Sequence, residues 1–214
     1  MPVEIFWYGQ ACFRLRSREA TVVTDPYADE IGYTLPNLRA DIVTVSHAHR
    51  DHANYQAIKG KPYVISGPGE YEINGVFVTG LSTYHDQQQG KERGKNTMYW
   101  IEFDDLTVCH LGDLGHVPTQ SQVEELTDID VLLIPVGGGP TINAAEAAEV
   151  VSLLEPKVVI PMHYRTPDLK FELDGVDKFL KAMGSEKIEP AESFKASRDA
   201  LPEETQVVLL SYKH

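Results

Sequence analysis

In four places along this chain an apolar run suited to a buried strand ends directly in a side chain that can bind a metal or move a proton. Thr21-Val22-Val23-Thr24 runs into Asp25-Pro26, and Val43-Thr44-Val45-Ser46 into His47. Leu106-Thr107-Val108-Cys109-His110 runs into Gly112-Asp113, and Val158-Val159-Ile160-Pro161 into His163. Open sheets collect their ligands at the carboxyl ends of their strands, so one cleft would gather all four. The densest end is His47-Ala48-His49-Arg50-Asp51-His52. Extended side chains alternate with a period of two, which puts His47 and His49 on the same side. Asp51 and His52 follow the turn and can point elsewhere. Two adjacent ions suit this better than one, with His47 and His49 serving the first and Asp51 and His52 the second.

The first half of the chain reads mostly as strands, at Val3 to Tyr8, Ala11 to Arg16, Thr21 to Thr24 and Tyr63 to Ser66. Asn74-Gly75, between Tyr71-Glu72-Ile73 and Val76-Phe77-Val78, marks a two-residue hairpin. Met98 to Phe103 and Leu106 to His110 form a second hairpin, and Ala53 to Ile58 a short helix. The second half alternates. Ser121 to Leu126 reads as a helix with Ser121 and Glu124 as its capping box, and Asn143 caps another through Leu154 with Glu146 at the third position. Strands fall at Val131 to Pro135 and Val158 to Pro161, a helix at Val176 to Met183 and a closing strand at Gln206 to Ser211. Between Leu169 and Leu201 surface helix and loop read alike. Strand-rich and helix-rich stretches within 214 residues imply two packed sheets with helices outside, in a single domain spanning 1–214.

The formal charge of -13 repels nucleic acid and anionic membrane unless a local basic patch intervenes. No run approaches the ~20 apolar residues of a membrane span. Met1-Pro2-Val3-Glu4-Ile5 lacks the basic and apolar parts of a signal peptide. Cys12 and Cys109 lie far apart in apolar runs without redox or zinc spacing. These features point to the reducing cytoplasm. A homo-oligomer is compatible with them.

Further candidate ligands are His85 in Ser82-Thr83-Tyr84-His85-Asp86, Asp113 in Leu111-Gly112-Asp113-Leu114-Gly115, and His163 in Pro161-Met162-His163-Tyr164. The order H-x-H-x-D-H, His, Asp, His resembles the ligand set of the metallo-β-lactamase superfamily. The likeness runs from Trp7-Tyr8-Gly9-Gln10-Ala11-Cys12-Phe13 through Asp25 to His163. His110-Leu111-Gly112-Asp113-Leu114-Gly115-His116 and Ile160-Pro161-Met162-His163-Tyr164 make it similar to the small single-domain metal-dependent hydrolases near the ascorbate-phosphate lactonase branch. The resemblance implies an α/β fold, a four-layer αββα sandwich with the site along one edge of the two sheets. It also implies that His47, His49 and His85 bind the first metal, that Asp51, His52 and His163 bind the second, and that Asp113 bridges them. Asp25 matches an aspartate that braces the His loop. Relatives often carry His where this chain has Gln10.

The chemistry expected is hydrolysis by a dimetal-bridged hydroxide, with ions roughly 3.5–4 Å apart, acting on an ester, lactone, amide or phosphodiester. Imidazole-rich ligation suits Zn2+, and Mn2+ or Fe2+ also fits. Asp51 and His116, which follows Asp113 closely, are the candidate catalytic side chains, His116 as a proton or hydrogen-bond donor to substrate. Lys91, Arg93 and Lys95 after His85, and Arg165 after His163, would draw a small anionic substrate, with Arg93 and Arg165 the candidate contacts. His110 reads as a hydrogen-bonded neighbour of the site. Gly137-Gly138-Gly139 reads equally as an anion cradle or a tight turn. An iron-dependent redox enzyme on the same scaffold is a rival, disfavoured by the presence of both Asp51 and His52. A non-catalytic metal-binding protein is a third reading, disfavoured by the complete ligand set.

Overall fold

The computed structural model describes residues 2–126, 128–185 and 187–213. Its strands are β1 (Val3–Trp7), β2 (Phe13–Arg16), β3 (Thr21–Thr24), β4 (Ile42–Val45), β5 (Tyr63–Ser66), β6 (Gly69–Ile73), β7 (Val76–Tyr84), β8 (Lys95–Phe103), β9 (Leu106–His110), β10 (Val131–Pro135), β11 (Val158–Met162), β12 (Phe194–Ala196) and β13 (Gln206–Val207). They form two sheets, ordered β12-β1-β2-β3-β4-β5 and β13-β11-β10-β9-β8-β7-β6. In each sheet an antiparallel part adjoins a parallel part. β3, β4 and β5 run parallel in the first, and β9, β10, β11 and β13 in the second. The parallel strands β10 and β11 are buried at every position, hence their unbroken apolar sequence.

The sheets face one another across a shared core, to which Ile5, Phe13, Leu15, Val22 and Ile42 contribute from the first sheet. Val78, Met98, Ile101 and Val108 contribute from the second. Alternation sends Val23, Val43 and Val45 to the opposite face of the first sheet. Tyr99 ties the sheets together, its hydroxyl donating to Val45 O at 2.8 Å and accepting from Gly67 N at 2.9 Å.

The helices are α1 (Gln120–Glu125), α2 (Ala144–Leu154) and α3 (Asp177–Ala182). On α2, Ala144, Ala147, Val151 and Leu154 recur at helical spacing and are buried, while Asn143 and Glu146 form the expected capping box. The outer face of the first sheet is covered differently. Tyr27, Ile31, Tyr33, Leu38, Leu169 and Leu173 pack on it from irregular segments and a 3-10 turn, and no α-helix lies in the stretches joining β3 to β4 and β4 to β5 among the described residues.

Four local readings are corrected. The Ala53 to Ile58 segment makes only a 3-10 turn at Tyr55–Ala57. The capping box of α1 is Thr119 with Gln122, because the helix starts at Gln120. The closing strand ends at Val207: Val208 N still reaches Val159 O, but Leu209 O accepts from Ala191 N. β12, within the ambiguous stretch, crosses back to pair antiparallel with β1.

Candidate metal centre

The four strand ends meet at one edge of the sandwich. Two backbone features aim them. His163 takes a left-handed φ of 51°, which turns it out of β11. Gly112, at φ 57°, passes so close to Ser46 that an added Cβ would stand 2.6 Å from the serine Cβ. The following Asp113 amide donates to Asn96 Oδ1 at 2.9 Å. Asn96 Nδ2 in turn donates to Leu111 O at 2.9 Å and Thr83 Oγ1 at 2.8 Å, so this buried amide shapes the Asp113 loop. Gly137 backs onto His163, its N–H donating to His163 O at 3.0 Å. The glycine run is therefore a tight turn under the site.

Asp113 stands at the middle. Its Oδ2 lies 3.3 Å from Nε2 of His52, His85 and His163, and 3.9 Å from Nε2 of His47. Three groups have ligand atoms within 4.8 Å of one another: His47, His49 and His85; His47, His52 and Asp113; and Asp51, His52 and His163. These are the two expected triads, with Asp113 between them.

Behind them Asp25, fully buried, accepts from Ser46 N at 2.7 Å, Ser46 Oγ at 2.5 Å and His52 Nδ1 at 2.8 Å. Because Ser46 Oγ donates to Asp25, its lone pair accepts from His47 Nδ1 at 2.9 Å. Both rings thus carry a proton on Nδ1 and turn Nε2 to the cleft. His110 packs behind the site, its Nε2 2.9 Å from Ala11 O, as expected of a hydrogen-bonded neighbour.

The electrostatics follow from this enclosure. Burial pushes His47 down to about 3, with the neighbouring His52 acting in the same sense, and burial also lowers His85. For His52 burial again opposes charge, but Asp113, Asp25 and Asp51 outweigh it and hold the ring well above its ordinary value. Burial resists ionisation of Asp113, yet His163 and His52 hold its carboxyl well below the usual range. Asp51 is likewise lowered, its burial overcome chiefly by His52.

Hydrogen bonds within the protein leave part of the cluster unpaired. Nε2 of His47, His52 and His163 and Oδ1 of Asp113 are buried without a hydrogen bond. Each such group costs roughly 1–3 kcal/mol when left unpaired. One carboxylate oxygen shared by three rings offers too few partners. Cations between these donors meet the need, and imidazole nitrogens with carboxylate oxygens suit zinc, manganese or iron.

Two side chains expected at the site are placed elsewhere. His116 is turned to backbone, with Nδ1 donating to Val117 O at 2.8 Å and Nε2 accepting from Tyr84 N at 3.4 Å. Both ring nitrogens are therefore engaged by backbone. Arg165 lies in a separate groove with Trp7, Tyr164 and Tyr212, because its backbone turns off to meet Asp174 O. Arg93 does line the metal cleft, a hollow of about 290 Å3 also walled by Pro140, Phe171, Glu172 and Leu173. Its loop is built on Asp86, whose carboxylate accepts from the backbone N–H groups of Gln88, Gly90, Glu92 and Arg93 at 2.8–3.0 Å. Lys95 borders a second, mainly apolar hollow that reaches His47. The sequence reading missed Ser46, Asn96 and Asp86; a polar residue inside an apolar strand was the available signal for Asn96.

Two sheets with a polyhistidine edge define the class, the metallo-β-lactamase fold. The model of the β-lactamase superfamily domain matches residues 4–163, and the chain belongs to this superfamily. Its fold matches a crystal structure from Thermotoga maritima, assigned to the zinc-dependent hydrolases of the metallo-β-lactamase superfamily, with a TM-score of 0.81 and 43% identity over 99% of this chain and 100% of that one. A UPF0173 metal-dependent hydrolase of Pyrococcus horikoshii is 35% identical, covering 59% of this chain and 67% of its own. Another, from Methanosarcina mazei, is 29% identical, covering 78% of this chain and 85% of its own. No helix among the described residues is long and apolar enough to cross a membrane.

Proposed function

We propose that this chain is a metal-dependent hydrolase that holds two divalent ions and cleaves an ester, lactone or phosphodiester bond in a small anionic substrate. His47, His49 and His85 would hold the first ion, Asp51, His52 and His163 the second, with Asp113 shared. The observation that carries this reading is the set of buried donor atoms left without hydrogen bonds where both sheets converge. Zinc is the metal we favour, supported by the imidazole-rich donors and by the description of the Thermotoga maritima structure. When bound, such a pair supplies a hydroxide nucleophile near neutral pH, from water whose pKa falls to about 7, and polarises the bond under attack.

The chain's own groups do the rest. Asp25 and Ser46 fix the tautomers of His52 and His47. Asp51 and Asp113 remain ionised and balance the added charge. Arg93, in the cleft wall, meets the anionic part of the substrate, while Phe171 and Leu173 face its carbon skeleton. The buried, unpaired cysteines fit the reducing cytoplasm.

The test joins elemental analysis with a hydrolysis screen over phosphodiesters, lactones, thioesters and β-lactams. About two ions per chain and turnover of an anionic lactone or phosphodiester are expected. A single ion under saturating metal would overturn the two-ion reading, and iron with dioxygen consumption would replace hydrolysis by redox chemistry. Arg93→Ala should raise KM for an anionic substrate more than for a neutral analogue, with metal content unchanged.

A further inference from the structure

Gln10 is 1% exposed and sits in a left-handed turn at φ 50°, far in sequence from the histidine block. Its side-chain Nε2 donates to Asp51 Oδ2 at 3.1 Å. Its backbone carbonyl accepts from the His163 amide at 3.2 Å and from Trp7 Nε1 at 3.0 Å. One residue therefore meets two of the three residues of the second triad, Asp51 at its side chain and His163 at its backbone amide, and the indole of Trp7 anchors the contact in the core. The orientation of the amide is dictated, because Oε1 turned to a carboxylate would be repelled. Oε1 is consequently left buried without a donor. A glutamine serving only the packing would gain nothing from that orphan, whereas an apolar side chain of the same shape would remove it.

Both ligands need this support. Asp51 lies in the turn after β4, with its side chain 21% exposed, and His163 sits past the end of β11 at a left-handed φ of 51°, its carbonyl held by Gly137 N and its amide by Gln10 O. The first triad has no comparable contact with Gln10.

We propose that Gln10 is the positioning residue of the second metal site, fixing Asp51 through its amide and His163 through its carbonyl. The inference rests on the two-ion reading above. It is tested by stepwise zinc titration of metal-free protein against a chromophoric chelator, with the Co2+ absorption spectrum as a second readout. The variants are Gln10→Leu, which keeps the shape and removes the donor, and Gln10→His, which restores a donor. Partners that orient metal ligands change affinity by roughly 10–100-fold when lost. Gln10→Leu should therefore weaken the second ion by about that factor, leave the first within about twofold, and melt in its metal-free form close to wild type. Gln10→His should recover most of the second affinity, and the Co2+ bands of the second site alone should shift in the leucine variant. Equal loss at both sites with a lowered metal-free melting temperature would make Gln10 merely structural and overturn the inference. So would unchanged binding of both ions. A wild-type chain saturating at one ion would overturn the inference together with the two-ion reading, whereas a wild type that binds two ions confines any failure to Gln10.

Discussion

Replacing Asp25 by asparagine should harm metal binding more than replacing it by alanine, although asparagine is nearly isosteric. The carboxylate accepts three hydrogen bonds and donates none. In the asparagine variant Oδ1 keeps the bond from the Ser46 backbone amide, which cannot move aside. The NH2 group then faces Ser46 Oγ and His52 Nδ1, both of which must become acceptors. His52 can comply only by moving its proton to Nε2, the atom it turns to the cleft. The serine hydroxyl, now free to donate, points its proton at His47 Nδ1 and drives that ring into the same wrong tautomer. Two ligand atoms, one in each triad, are blocked by one substitution. Loss of an orienting partner costs roughly 10–100-fold in metal affinity, or about 1.4–2.8 kcal/mol, and this should appear at both ions. Asp25→Ala leaves the rings free to adopt either tautomer and should bind metal better than Asp25→Asn. It should nonetheless melt lower without metal, because buried Ser46 donors lose partners worth roughly 1.5–3 kcal/mol each as bonds to a charged group. Chelator competition gives the affinities and 15N shifts of His52 report the tautomer. Metal binding by Asp25→Asn equal to wild type, or tighter than Asp25→Ala, would refute the argument.

Asp86→Ala should release the loop that carries Arg93, raising KM severalfold for an anionic substrate while the protein keeps its full metal content; loss of metal would place Asp86 in the centre itself. His116→Ala and Arg165→Ala should leave metal content and kcat/KM near wild type, and a tenfold drop in either would return that side chain to the cleft. The metal-free chain should lose stability on acidification. His47, pushed by burial down to about 3, and His85 and His110, also lowered by burial, stay neutral in the fold while the unfolded chain takes up protons below about 6.5. His52 acts in the opposite sense, since a raised pKa contributes stability below its unfolded value and loses it only as pH rises through the folded one. Three lowered rings against one raised make the melting temperature at pH 5.5 fall below that at pH 7.5, and a rise would contradict the assignment.

The parts of this site that could be read in the sequence are those whose meaning is local. The His47 to His52 block follows its strand directly, and the Asn143 cap and the Asn74-Gly75 turn, at φ 54° and 78°, depend only on near neighbours. Asp25, His85, Asp113 and His163 became legible through their shared place at strand ends and the order of a known ligand set. The backbone contacts of His116 were not legible, because closeness in sequence to Asp113 says nothing of where the chain turns next, and the Tyr84 amide that meets its ring lies 32 residues away. Asp86 and Gln10 act through backbone direction and through partners up to 41 residues distant, neither of which leaves a pattern. β12 escaped because three residues with one buried side chain carry no usable period.

The centre draws on both sheets, and this sets an order of assembly during synthesis. His47, His49 and His85 are all present once β7 has been made, whereas Asp51 and His52 must wait for His163, which follows four more strands. A ribosome emitting this chain exposes a half-built polyhistidine edge for the time needed to add the 78 residues from 86 to 163, several seconds at roughly 5–20 residues per second. On the two-ion reading proposed above, the second triad is complete only once β11 is in place and His163 follows it, so the two halves of the edge are finished at different moments of synthesis.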